Sequence, residues 1–105
     1  MYVRPVHAVL VGENHAPKVN QDWTYSITVT DAKGQKLSGT ETTHYAFNGS
    51  VVGTEKPVNV PFTNGRYQDT IQFPAAAVGV ALEVQTVVNT SIGSITVEWP
   101  IKVRR

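Results

Sequence analysis

Residues 23–31 read WTYSITVTD, from Trp23 to Asp31, and this stretch decides the fold class. Its odd positions are Trp23, Tyr25, Ile27 and Val29, and its even positions are Thr24, Ser26, Thr28 and Thr30. Successive side chains of a strand point to opposite faces. A period of two therefore sends one side into a core and the other into water. The next four residues, Asp31 to Gly34, supply turn chemistry, because Asp bonds its own local backbone and Gly accepts positive φ.

The same alternation continues outward in both directions. Val6 to Val11 reads as a first strand. Thr40 to Phe47 reads as another, with Thr43, Tyr45 and Phe47 on one face and Thr42, His44 and Ala46 on the other. Asn48-Gly49 is a strong turn signal. Val51 and Val52 begin a short strand that Gly53 and Pro57 weaken, which places it at a sheet edge. Val58 to Phe62 makes a further short piece, and Asn64-Gly65 the next turn. Arg66 to Phe73 follows, with Tyr67, Ile71 and Phe73 in register and Asp69 on that same apolar side. Pro74 to Gly79 is expected to form one short helical turn. In the long strand from Val80 to Thr90, Leu82, Val84, Thr86 and Val88 share a face. A hairpin at Ser91-Ile92-Gly93 leads to Ser94–Val103, where Ile95, Val97, Trp99, Ile101 and Val103 are in phase. Pro100 cannot donate to a ladder, so this last strand lies at an edge or carries a bulge.

The whole is an all-β pattern: an antiparallel two-sheet sandwich of about seven strands, in one domain spanning residues 1–105. Its length of 105 residues suits a single domain. With 41% apolar and 16% charged residues, the chain is too apolar for a disordered tail. A net charge of +1 leaves no large basic face for nucleic acid. No apolar run is long enough for a membrane-inserted helix. Without cysteine there is neither a disulfide framework nor a thiolate zinc site.

Residues 23–40, WTYSITVTDAKGQKLSGT, resemble a motif of bacterial immunoglobulin-like modules: an alternating strand, an Asp-x-x-Gly turn and an apolar residue shortly before a second strand. Asn64 to Tyr67, and the loop Pro74–Gly79 before a long alternating strand, are similar to the later half of such modules. The resemblance covers most of residues 20–103 and implies an immunoglobulin-like sandwich. It also implies a spacer, stalk, accessory or decorating role in a longer exported protein, outside the cell or at its surface. A cytoplasmic location is the alternative.

The reactive residues form no recognisable constellation. The candidate metal ligands are His7, His15 and His44, but their spacings match no metal motif. No carboxylate pair suggests a glycosidase cleft, and Asp69 is expected to cap a loop or to meet Arg66 or a backbone amide. A Lys–Asn crosslink, found in some Gram-positive surface sandwiches, would draw on Lys18, Asn89 and Glu98. Most aromatics fall on core faces, leaving Tyr2 and Phe62 as the exposed pair a glycan could use. No cofactor is implied. The sequence therefore reads as a non-catalytic structural or protein-interaction module, with a small-ligand, metal or glycan binding module as the alternative. The partner would be another protein or the parent chain. Its contacts are expected in loops, chiefly Asn48, Gly49 and Ser50, and Ser91, Ile92 and Gly93, with Gly12–Lys18 beside them. Edge pairing through Val51–Val60 is a second route.

Overall fold

The structure, a computed structural model, describes residues 6–105. Among the described residues eight strands form: β1 (Val6–Gly12), β2 (Trp23–Asp31), β3 (Gly39–Phe47), β4 (Ser50–Thr54), β5 (Val60–Phe62), β6 (Arg66–Ile71), β7 (Ala81–Thr90) and β8 (Gly93–Lys102). A 3-10 turn forms at Ala75–Ala77, within the segment expected to supply one.

Two antiparallel sheets result. The smaller has the order β1-β2-β6; the larger has the order β4-β3-β7-β8, with β5 paired to the start of β3. The chain changes sheets at β2–β3, β5–β6 and β6–β7, which interlocks the layers. β4 and β8 lie at the edges of the large sheet, as Gly53 and Pro100 require.

The register fixes two poles. At the upper pole Val6 faces Asp31, and Gly39 faces both Thr90 and Phe62. At the lower pole Trp23 faces Ile71, Phe47 faces Ser50 and Ala81 faces Lys102. The molecule measures 47 × 24 × 22 Å. Strands of ten residues in β7 and β8 reach about 33 Å at roughly 3.3 Å per residue, so the long axis follows the strands.

The core is the layer that the alternation predicts. Trp23, Tyr25, Ile27 and Val29 from β2 are almost wholly buried, and so are Val84 and Val88 from β7 and Val103 beyond β8. Phe73 meets Trp23 edge-on at 5.8 Å and Tyr45 at 5.6 Å, joining the sheets through aromatic contacts. Two aromatic assignments are corrected. Phe47 is 40% exposed, because it sits at the last position of β3, where the turn begins and the opposite sheet no longer covers it. Phe62 is buried, because β5 pairs with the start of β3 and Phe62 joins the core cluster between the sheets. With Phe62 inside and Tyr2 outside the described residues, no exposed aromatic pair is in view.

Candidate functional site

The three histidines go to three separate places. His7 lies exposed on β1 opposite Thr30. His15 stacks on Trp99 at 4.1 Å and donates from Nδ1 to the Pro100 carbonyl at 2.6 Å. His44 sits on the outer side of β3, with Nδ1 2.7 Å from the Thr54 hydroxyl. The structure does not bring them together, and no group of three or more metal-ligating His or acidic side chains forms among the described residues.

The loop residues also separate. Asn48, Gly49 and Ser50 turn the β3–β4 hairpin at the lower pole. Ser91, Ile92 and Gly93 turn the β7–β8 hairpin at the upper pole. The two sets cannot form one surface. Gly12–Lys18 belongs with the first set. Lys18, Asn89 and Glu98 cannot crosslink, because Lys18 bridges Arg104 at the lower pole while Asn89 faces Ser94 at the other. Glu98 faces outward, where Gln85 donates to it at 3.0 Å. A hydrogen bond shared with Glu83 pushes the Glu83 carboxyl up and the Glu98 carboxyl down.

The lower pole is built around Asn14. Its carbonyl accepts the indole N–H of Trp23 at 3.2 Å and that of Trp99 at 3.0 Å. Its side-chain oxygen accepts from Ala16 N–H at 3.0 Å, closing a tight local turn. Gly12 lets this happen: a Cβ there would stand 2.4 Å from the Trp23 ring and 2.6 Å from the Trp99 indole nitrogen. Residues 15–19 then run alongside the end of the chain. Lys102 N–H donates to the His15 carbonyl at 2.9 Å, Arg104 N–H to Pro17 at 2.9 Å and Val19 N–H to Arg104 at 2.8 Å.

Between the sheets lies a polar cluster that the alternation alone did not single out. Glu41 is 3% exposed and in phase with Thr43 and Tyr45 on the inner side of β3. Thr43 donates to its carboxylate at 2.8 Å, and the Tyr25 hydroxyl lies 2.7 Å from Thr43. The Thr86 hydroxyl is 3.2 Å from that of Thr43, and Tyr67 faces the carboxylate from β6. Tyr45 donates to Glu55 beside them. Burial pushes the Glu41 carboxyl above the usual range, and it pushes the phenols of Tyr25, Tyr45 and Tyr67 upward as well. Asp69 is half-buried on the inner side of β6 and takes a backbone amide, from Thr70 at 2.8 Å, as one of its expected roles requires. The sequence already held the signal for Glu41: it is the odd residue two before Thr43.

One open groove of about 410 Å³ runs between β4 and the 3-10 turn at the lower pole, lined by Tyr45, Phe47, Val52, Ala77, Val80 and Leu82 among others. It carries no charged side chain. Among the described residues no nucleophile, base and acid are gathered in it.

No protein-family model and no curated protein matches the chain. Solved structures do share its fold. A crystal structure of an engineered protein superposes with a TM-score of 0.60 at 14% identity, over 94% of this chain and 20% of that one. The crystal structure of domains 4 and 5 of the S-layer protein SbsC superposes with a TM-score of 0.51 at 14% identity, over 97% of this chain and 54% of that one. The chain thus spans about half or less of both structures. At this identity the likeness establishes an all-β sandwich and nothing beyond the fold.

Proposed function

We propose that this is a non-catalytic spacer module of a longer chain, built to be joined end to end with its neighbours. The observation that carries the reading is the placement of Val6 and Arg104 at opposite poles. β1 begins at the upper pole, and Arg104 lies beside Lys18 at the lower, along an axis of 47 Å. A chain passing through such a module advances by nearly its full length. The S-layer neighbour, a pair of consecutive domains by its name, supports the same use. On this reading the module acts outside the cell or at its surface.

The test joins two and three copies through Arg105 and measures their dimensions by small-angle scattering. The maximum dimension is expected to grow by about one module length, 47 Å, per copy. Growth by only the 24 Å width would mean that modules fold back side by side, and would overturn the reading. A protein-interaction role is favoured by one feature, the groove at the lower pole. Val103 bridges Val78 and its carbonyl accepts from Gly79 at 2.8 Å, so a domain joined after Arg105 starts beside the Ala75–Ala77 turn that borders the groove. We infer that the following domain packs there. Phe47→Ser with Val52→Ser is then expected to loosen a two-copy protein without unfolding either copy. Identical scattering profiles for parent and variant would reject this contact.

A further inference from the structure

We propose that the Glu41 cluster makes this an acid-strengthened fold, in which the two sheets hold together more firmly in mildly acidic solution than at neutral or alkaline pH. This does not depend on the spacer reading. Its basis is the company that Glu41 keeps. From its own strand Thr43 donates to it, and Tyr25 of β2 and Thr86 of β7 bond that same Thr43 hydroxyl; Tyr67 and Asp69 face it from β6, and Glu55, which takes the Tyr45 hydroxyl, lies near it from beyond β4. Each of these is a neutral hydroxyl or another acid. The inward positions of β1, β2, β3, β6, β7 and β8 carry no Lys, Arg or His: they read, for example, Trp23, Tyr25, Ile27 and Val29 on β2, and Leu82, Val84, Thr86 and Val88 on β7.

A carboxylate in this position gives up its hydration and, among the described residues, receives no counter-charge. Hydroxyl donors offset part of that cost, while Asp69 and Glu55 add to it. A proton on Glu41 removes the charge and leaves the hydrogen-bonding group in place. In the unfolded chain Glu41 is an ordinary, hydrated glutamate. The folded chain therefore holds a proton on Glu41 at pH values where the unfolded chain has released it. Stability falls with rising pH wherever the folded state binds more protons. The contribution is complete below the ordinary carboxylate range and is lost as pH rises through the higher folded value. Acidification of most proteins works the other way, because paired carboxylates lose their partners.

The experiment is urea unfolding of the full chain and of Glu41→Gln from the ordinary glutamate range, roughly pH 4, up to roughly pH 8. Glutamine keeps the shape and cannot ionise. The parent's folding equilibrium constant is expected to fall relative to that of Glu41→Gln as pH rises through the span, because only the parent gives up a proton from the folded state. The difference between parent and variant should be smallest at the acid end. Parallel curves for the two proteins, or a gap that widens toward acid, would overturn the proposal. If Glu41→Gln does not fold, the Glu41 side-chain carboxyl carbon is titrated by NMR in the parent. A midpoint above those of the exposed glutamates upholds the proposal, and a midpoint among them overturns it.

Discussion

At the scale of single residues, Gly12 and Asn14 decide how the lower pole closes. Two indole N–H groups need an acceptor, and one carbonyl serves both. That geometry requires the backbone of β1 to pass directly against the Trp23 and Trp99 rings, closer than any Cβ allows. Gly12→Ala is therefore expected to destabilise the fold by about 1–3 kcal/mol, the usual cost of overpacking a tight site. Chemical denaturation followed by tryptophan fluorescence checks this, since both indoles report on the same place. An unchanged midpoint would mean that the rings move aside freely. The sequence could not show this knot. His15, Asn14 and Gly12 read as loop residues, and their partner Trp99 is 85 residues from Asn14.

At the scale of strands, period-two reading worked wherever one face is covered and the other wet. β2, β7 and β8 follow it throughout, and their inward residues are those the alternation names. It failed at strand ends, as at Phe47, because coverage by the opposite sheet is a property of the assembled layers. It also passed over Glu41, since apolar residues define a face and a lone acid in phase with them is easily skipped. β4 shows a feature no pattern could carry. Tyr45 pairs with Gly53 and Ala46 with Val51, so Val52 is an extra residue without a partner across the ladder. This bulge twists an uncharged edge that would otherwise accept another strand. Deleting Val52 leaves every existing pair intact and straightens the edge. The deletion variant is expected to self-associate more than the parent in sedimentation velocity, and Val51→Lys in the same background to reverse it. Equal sedimentation of parent and deletion would show that the bulge protects nothing. The phenols of β2, β3 and β6 give a second strand-level expectation. Tyr25, Tyr45 and Tyr67 have folded values pushed upward, so their stabilising contribution is present below the ordinary phenol range and lost as pH rises beyond it. Tyrosinate absorbance should then rise together with loss of the strand circular dichroism signal. Smooth ionisation of these phenols in a still-folded chain would contradict their placement.

At the scale of the whole molecule, the fold has a direction, and force along it loads particular bonds. Tension applied between the upper start of β1 and the lower end of the chain pulls residues 102–104 along the axis. Those residues run parallel to residues 15–19, bonded through Lys102 to His15, Arg104 to Pro17 and Val19 to Arg104. Such bonds lie across the pull, so they must shear together instead of opening one at a time. A module that serves as a tension-bearing spacer would place its resistance there. Arg104→Pro deletes the N–H that reaches Pro17 and is expected to lower the unfolding force in single-molecule pulling. Gly12→Ala is the comparison, because it weakens the same pole without removing any of these bonds. At matched equilibrium stability the proline variant should yield at the lower force. If both variants yield at the same force, resistance tracks overall stability alone, and the parallel seam between the first loop and the end of the chain carries no special share of the load.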